Sequence, residues 1–439
     1  MLDIKFIREN LEEIKEAAKN KKISLDFNRL LELDGERREL LAKIEELRTR
    51  RNKIALAGKK VRPTPAQIKE GKKIKSEISG LEDRFNLLEG EYEDLMVKVP
   101  TITSKDTPIG KDERGNLEVG RWGKLPEFNF KPRSYLELAE DLDLLDLKRG
   151  TKVAGYRGYY VKNELASLEL ALMMYAFNEL INLGYTPMIP PTLVREFALF
   201  GSGYFAGRHY NPETDEIYKI ANGEKLADGT IQKEDKFLIG TAEPSLLAYY
   251  ADEILDEKEL PIKFCGFSQC YRSEIGSYGK DTKGIYRVHE FMKVEQVCLT
   301  RADIGESDKI QQEMLAISKK MHEELNLPYR QIHICTGDLS AGKYKMFDLE
   351  AWIPSRKGYG ETGSASNFLD WQSRRLNVKY KDGKGNKKFV YMLNNTALPT
   401  ARPLIAILEN YQQADGSVVV PEALRKYMPG NIEIIKRKS

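Results

Sequence analysis

Two neighbouring stretches hold the densest set of side chains able to do chemistry: Phe267-Ser268-Gln269-Cys270-Tyr271-Arg272-Ser273-Glu274 and Arg287-Val288-His289-Glu290-Phe291-Met292-Lys293-Val294-Glu295. Read as a strand–loop–strand hairpin, the period of two puts Arg272 and Glu274 on one face, and Phe291, Lys293 and Glu295 likewise share one. An arginine suits bidentate recognition of a phosphate or a carboxylate, while carboxylates beside it are costly when buried without partners. The pattern fits either an anion-binding site or a cross-strand ladder of ion pairs. The intervening segment 276–284, with Lys280 and Lys283, reads as a mobile loop.

Metal and thiol chemistry find less support. Four cysteines (Cys265, Cys270, Cys298, Cys335) contain no CxxC, and four histidines (His209, His289, His322, His333) contain no HExxH or paired spacing. No structural zinc or disulfide framework is expected, and a reducing cytoplasm is the default location. No apolar run approaches the ~18–20 residues needed to cross a bilayer, and MLDIKFIREN lacks a signal peptide's hydrophobic core, so no membrane partner is expected.

Charge points to a partner of another kind. The 439 residues carry a net charge of only +3, yet 31% are charged, against a usual ~25%. Between Arg48 and Lys75, eleven basic residues (Arg48, Arg50, Arg51, Lys53, Lys59, Lys60, Arg62, Lys69, Lys72, Lys73, Lys75) face one acid, Glu70. That +10 segment leaves the remainder at −7. Such asymmetry fits a polyanion-binding surface or a solvated helical face.

The elements around the basic run favour the first. Leu33, Leu40, Leu47 and Ile54 recur every seven residues, and Ile74, Ile78, Leu81, Phe85, Leu88, Tyr92, Leu95 and Val99 step alternately by four and three, an a/d coiled-coil seam. Gly58 to Pro63 reads as a turn, after which Thr64-Pro65-Ala66-Gln67 supplies an N-cap, a first-turn proline and a capping-box glutamine. Two long helices so joined are antiparallel. Pro65 to about Val97 spans roughly 50 Å, more than a globule covers, so the outer, basic half projects. This suits a nucleic-acid backbone. Without an RNP, KH or zinc-finger signature, it reads shape rather than base edges.

Residues 2–20 read as one amphipathic helix, with Phe6, Ile7, Leu11, Ile14 and Ala18 near helical spacing. The Thr-, Gly-, Pro- and Asp-rich stretch after Pro100 reads as a linker. Beyond it a helix is expected over about 165–183, and strands over 236–239, 263–270, 292–299 and 389–393, with a hairpin turn at Lys381 to Gly385. The βαβ spacing and glycine loops of parallel nucleotide-binding sheets are missing. The expected fold class is α+β, a mainly antiparallel sheet flanked by helices behind a two-helix coiled-coil arm. The boundaries are 1–105 for the arm-bearing domain, 106–127 for the linker and 128–439 for the catalytic domain.

At this point a family resemblance emerges. FSQCYRSEIGSYGKDTKGIYRVHEFMKVEQV resembles motif 2 of the class II aminoacyl-tRNA synthetases in the form of the seryl-tRNA synthetase family. NLGYTPMIPPTLV, Asn182 to Val194, resembles motif 1, which lies in that family's dimer interface. LNNTALPTARPLIAILENYQ is similar to motif 3, DGSVVVPEALRKYM to the family's ending, and the basic hairpin to its tRNA-gripping arm. The likeness spans essentially the whole chain.

The resemblance implies a homodimeric serine–tRNA ligase that uses ATP and Mg²⁺ to make seryl-adenylate. It then esterifies the 3′-terminal ribose of serine tRNA and, where present, selenocysteine tRNA. It implies that Arg272 binds the α-phosphate and the substrate carboxylate, Glu274 the adenine end, and that Phe291 stacks on adenine. Arg402 takes the γ-phosphate and the other adenine face, so Arg272, Glu274 and Arg402 form the catalytic set. Ser273, Arg287, Val288, His289, Glu290 and Glu361-Thr362-Gly363-Ser364 complete the ATP site, with Glu361 and Ser364 holding the metal. Thr241-Ala242-Glu243 forms the serine-binding loop, and Glu295 and Thr396 contact serine and its hydroxyl. The basic residues of the arm bind tRNA.

Such chemistry needs positive charge and alignment around the phosphates more than a protein nucleophile. Departures from the family pattern are Asn395 for a usual glycine, Ala401-Arg402-Pro403 for Gly-Arg, Gly363 for a common serine, Glu290 for glutamine and Gly240 for proline. None deletes a charged catalytic position. Two other functions compete. An enzyme activating an amino acid for a non-tRNA carrier lacks the arm, whereas here it is complete. A non-catalytic paralogue loses motif charges, whereas Arg272, Glu274, Glu295, Glu361 and Arg402 are all present.

Overall fold

The structure is a computed structural model that describes residues 1–60, 64–205, 207–221, 223, 225–231, 234–275 and 283–437, with side chains given up to residue 56 before the first gap. Arg62, the side chains of Lys59 and Lys60, and residues 276–282 of the motif 2 loop, Lys280 included, lie outside the described residues. The chain forms two compact units, Met1–Pro100 and Thr101–Ser439.

In the first unit the single helix expected over 2–20 is two, α1 (Ile4–Glu9) and α2 (Leu11–Asn20). Asn10 separates them: its backbone leaves helical geometry, and its N–H and side-chain amide both donate to the Phe6 carbonyl. This local competition is what makes asparagine a poor interior helix residue. The long helices are α3 (Phe27–Lys60) and α4 (Pro65–Met96). Helix α3 continues past Gly58, where a turn was expected. The capping box forms as read, with the Gln67 N–H donating to Thr64 Oγ1 at 3.3 Å and the Thr64 N–H to Gln67 Oε1 at 2.9 Å.

Ion pairs fix the antiparallel course: Arg29 meets Glu91, Arg37 meets Glu89, Arg48 meets Glu82 and Arg50 meets Glu70. Between the helices Leu33, Leu40, Ile44, Ile74, Ile78, Leu88 and Tyr92 are buried. Leu47, Ile54, Leu81 and Phe85 are only half-buried, because two helices cover one side of a seam.

The second unit is built on an eight-stranded sheet. Its strands are β1 (Leu117–Trp122), β2 (Thr186–Met188), β3 (Ile262–Tyr271), β4 (Glu290–Thr300), β5 (Tyr329–His333), β6 (Lys345–Ile353), β7 (Gly358–Asn367) and β8 (Tyr391–Pro399). Their spatial order is β1-β5-β6-β7-β8-β4-β3-β2, antiparallel throughout except for the parallel pair β2 and β3. The segment 106–127, expected as a linker, instead carries the edge strand β1, paired with β5. Its composition suits an edge strand with short loops as well as a tether. The expected 389–393 strand is divided between Lys387–Phe389, which closes the hairpin at 381–385, and β8.

Helices α5 (Asn163–Asn182), α6 (Glu243–Leu247), α7 (Ile304–Glu324), α8 (Trp371–Leu376) and α9 (Ala401–Asn410) pack around the sheet. Leu165, Leu168 and Leu172 of α5 and Leu404, Ile405 and Leu408 of α9 enclose Val294, Cys298, Leu393 and Ala397 of β4 and β8. Each such leucine contributes about 1.5–3 kcal/mol. Strand β6 shows the governing alternation: Phe347, Leu349 and Ala351 are buried, leaving Asp348 on the polar face.

Candidate active site

A cleft opens over the β3–β4 hairpin, β7, β8 and the start of α9, lined by Arg272, Glu274, Arg287, Phe291, Lys293, Glu361, Thr396 and Arg402 among others. Arg272 follows directly on β3. Its N–H donates to the His289 carbonyl at 2.9 Å, and His289 Nδ1 donates back to the Arg272 carbonyl at 2.8 Å, clamping the hairpin where the arginine leaves it. Its Nε donates to the Gly240 carbonyl at 3.3 Å, and its guanidinium lies 5.5 Å from the Phe291 ring centre.

Strand alternation does not carry on to Glu274, as the hairpin reading assumed. Glu274 has φ +55°, a left-handed conformation that costs a non-glycine residue about 1–3 kcal/mol and recurs at functional sites. Arg287 Nη1 holds its Oε2 at 2.8 Å and Arg157 Nη1 lies 3.5 Å from the same atom. Arg157 is buried and comes from a distant loop that no local pattern marked.

On the opposite wall Arg402 donates from Nε to the Tyr286 carbonyl at 3.3 Å and lies 4.8 Å from the Tyr286 ring centre. Its Nη1 reaches the Glu361 carbonyl and carboxylate at 3.0 and 3.1 Å. Tyr286, another residue the sequence reading passed over, also receives Arg356 on its ring at 4.0 Å.

Thr396 lines the cleft and Glu295, buried behind it, is its register partner, the two on β8 and β4 beside a bulge at Val294/Glu295. The Thr396 hydroxyl donates to Glu295 Oε2 at 3.2 Å. Lys293 Nζ lies 2.7 Å from the same carboxylate oxygen and donates to Thr396 Oγ1 at 3.2 Å. Glu243, at the start of α6, is buried. It accepts from Gln372 at 2.7 Å, Asn394 at 2.8 Å and the Tyr204 hydroxyl at 3.2 Å. Burial, and then the charge of Glu295, push its carboxyl up to about 7, with the Gln372 hydrogen bond opposing. Thr241 is buried beside it, accepting the Glu243 N–H at 3.5 Å. Ala242 packs in an apolar cluster with Leu246, leaving only its backbone for a ligand.

Val288, Thr362 and Gly363 also line the cleft, whereas Thr241, Ala242, Glu243, Ser273, His289, Glu290, Glu295 and Ser364 do not. Glu290 is the residue the structure separates most plainly from the ATP set. It lies next to Phe291 on β4, so alternation sends it to the other face, where it accepts from Gln269 at 2.9 Å. The buried Ser273 hydroxyl has no partner among the described residues.

Two family departures gain physical reasons. A Cβ on Gly363 would sit 3.3 Å from the Thr396 carbonyl. Asn395 ties β8 to α7, donating to the Met314 carbonyl at 3.0 Å and Ser318 Oγ at 2.8 Å.

The residues expected to hold Mg²⁺ share a polar face despite their spacing of three, because the β6–β7 ladder shifts register at Leu349/Glu350. Ser364 pairs with Asp348 in register and hydrogen-bonds its carboxyl; burial, then the charge of Glu361, hold that carboxyl well above the usual range. Asp348 Oδ1 is buried without a hydrogen-bond partner among the described residues. An all-oxygen set with a spare carboxylate oxygen fits a hard cation that draws its remaining ligands from phosphates. No group of three or more His, Cys, Asp or Glu among the described residues forms a protein-only metal site.

Within the first unit, Arg48, Arg50, Arg51, Lys53, Lys69, Lys72, Lys73 and Lys75 are all exposed. Arg48 and Arg50 are paired, with Glu82 at 2.7 Å and Glu70 at 2.5 Å. Among the described residues, no helix is long and apolar enough to cross a membrane.

Comparison with known proteins agrees with this geometry. The family model for the seryl-tRNA synthetase N-terminal domain matches residues 1–103, and that for the tRNA synthetase class II core domain (G, H, P, S and T) matches residues 225–411. A serine–tRNA ligase of Borreliella burgdorferi is 42% identical over 435 residues, covering 97% of this chain and 98% of that protein. The crystal structure of seryl-tRNA synthetase from Pyrococcus horikoshii complexed with ATP superposes with a TM-score of 0.85 at 36% identity, covering 100% of both chains. The cytoplasmic enzyme of Naegleria fowleri in complex with AMP does so with a TM-score of 0.84 at 32% identity, covering 100% of this chain and 99% of that one. With relatives of this similarity along its whole length, the chain belongs to the seryl-tRNA synthetase family of class II aminoacyl-tRNA synthetases.

Proposed function

We propose that this chain activates L-serine with ATP, releasing pyrophosphate, and transfers the seryl group to the 3′-terminal ribose of serine tRNA. The observation that carries this reading is one cleft lined by Arg272, Arg402 and Thr396, with Glu295 hydrogen-bonded to that threonine. Arg272 draws the serine carboxylate and the α-phosphate together, and Phe291 and Arg402 enclose the adenine. Arg402 holds the γ-phosphate away from the reacting centre, which aligns attack without a protein nucleophile. Glu274, locked by Arg287, receives the adenine edge. Glu243 faces the substrate ammonium, and Glu295 with Thr396 the hydroxyl. A site built around a hydroxyl rejects the analogue lacking it by about 10⁴–10⁵.

Glu361 and Ser364 would hold Mg²⁺, which when bound would neutralise phosphate charge. The exposed cations of the hairpin grip the long variable arm of serine tRNA, and of selenocysteine tRNA where that is present, through its backbone. The enzyme works in the cytoplasm as a homodimer. Leu170, Met174, Leu183 and Ile189, exposed on α5 and the motif 1 segment, supply an apolar surface for a partner copy, and Ile189 is 82% exposed. The test is charging of unfractionated tRNA. Serine esterified to serine tRNA supports the reading, and no esterification in the presence of ATP and serine contradicts it.

A further inference from the structure

One cation of the cleft has no task in the activation chemistry above. Lys293 lines the cleft yet is only 5% exposed, and it projects from β4 on the same face as Phe291 and Glu295. Its ammonium lies 2.7 Å from Glu295 Oε2 and donates to Thr396 Oγ1 at 3.2 Å, while the Thr396 hydroxyl donates to the same carboxylate oxygen at 3.2 Å. An ammonium has three N–H donors. Two are engaged, and the third has no protein acceptor among the described residues.

Burying an ammonium costs several kcal/mol even when it is paired. A lysine serving only as a counter-ion for Glu295 gains nothing from standing at a cleft wall with a donor to spare. The geometry suits a small hydroxyl instead. A CH₂OH group entering beside the Lys293–Glu295 pair accepts one hydrogen bond from the ammonium's remaining N–H and donates one to the carboxylate, so both its capacities are met. A methyl group in the same place meets neither and leaves the buried ammonium's remaining N–H without an acceptor.

We propose that Lys293 is a specificity-determining residue whose ammonium donates to the oxygen of the substrate's side-chain hydroxyl while Glu295 accepts its proton. This rests on the serine-activating function proposed above and extends it to a residue outside the motif positions carried over from the family. Thr396, bonded to both groups, then holds donor and acceptor side by side, and the selection for serine over alanine becomes a property of three groups.

The test is amino-acid-dependent ATP–pyrophosphate exchange by the full chain, titrated with serine and with alanine, for the wild type, Lys293→Met and the charge-balanced double variant Lys293→Met/Glu295→Gln. The expected result for Lys293→Met is a KM for serine raised on the order of 10–100-fold, the value of one charged hydrogen bond. The KM for ATP changes less than about twofold, and the preference for serine over alanine falls by the same factor as serine affinity. A purely structural lysine would alter stability and both KM values together. If Lys293→Met fails to fold, the double variant, which leaves no charge stranded, is read against Glu295→Gln alone: a further rise in serine KM supports the role of Lys293, and a double variant no worse than Glu295→Gln overturns it. Wild-type serine KM and preference in whichever variant folds overturn this inference and leave the proposed function standing. No serine-dependent exchange by the wild type overturns the function itself.

Discussion

Arg402 donates through a single guanidinium nitrogen to both the backbone carbonyl and the carboxylate of Glu361, at 3.0 and 3.1 Å. The two groups pair on one wall of the cleft, and in the function proposed above Arg402 serves the γ-phosphate and Glu361 the metal. The two residues therefore fail differently. Arg402→Ala lowers kcat for pyrophosphate exchange by about 10²–10³, the usual loss when one oxyanion-stabilising donor is removed. Glu361→Gln moves the Mg²⁺ titration of exchange to higher concentration. Titrating both variants with Mg²⁺ checks the assignment, since only the second should shift the midpoint.

Glu243 gives a pH dependence with a definite sign. Its carboxyl is pushed up to about 7 from an ordinary 4.5, first by burial and then by Glu295. A substrate ammonium pairs with the ionised form, so kcat/KM for serine rises as pH climbs through about 7 and then levels off. Glu243→Gln removes that limb. Stability runs the other way: the native state binds the extra proton, so this contribution is fully present below the ordinary carboxyl value and is lost as pH rises toward 7. Exchange kinetics and thermal melts over pH 5–9 read the two trends separately.

The arm makes an ionic prediction. Replacing Arg51, Lys53, Lys72 and Lys73 together by glutamine leaves the arm's ion pairs at Arg48 and Arg50 in place. The KM for tRNA should rise, and the slope of its logarithm against log salt should fall by about 3–4 if all four contact phosphates. Exchange, which needs no tRNA, is the internal control.

The seam of the hairpin should respond to burial. Ile78→Ala removes a side chain only 3% exposed and should cost about 2–5 kcal/mol in the helical unit. Leu81→Ala, at a half-buried position, should cost less. Urea unfolding followed by helical circular dichroism distinguishes the two.

What could be read in advance was what local chemistry dictates. The heptads, the Thr64 capping box and the antiparallel course of the arm follow from residues within one or two turns of each other, and they appear in the structure. The cleft-forming arginines and acids were reachable through motif likeness. What escaped were meetings across the fold. Arg157 braces Glu274, Tyr204 and Gln372 orient Glu243, and Tyr286 backs Arg402, each brought in from an element whose own sequence gives no hint of its partner. Motif likeness groups Glu290 with the ATP residues, while strand alternation sends its side chain to the face opposite Phe291. The segment 106–127 was misread because edge strands and tethers draw on the same polar, glycine- and proline-rich residues.

Exchange of labelled pyrophosphate into ATP, with each of the twenty amino acids offered in turn, reads out serine activation in the cleft. Rapid exchange with L-serine that requires Mg²⁺, exchange with alanine lower by about 10⁴ or more, and loss of exchange in Arg272→Ala are expected. Exchange at the no-amino-acid level with serine, or a stronger response to any other amino acid, would contradict serine activation.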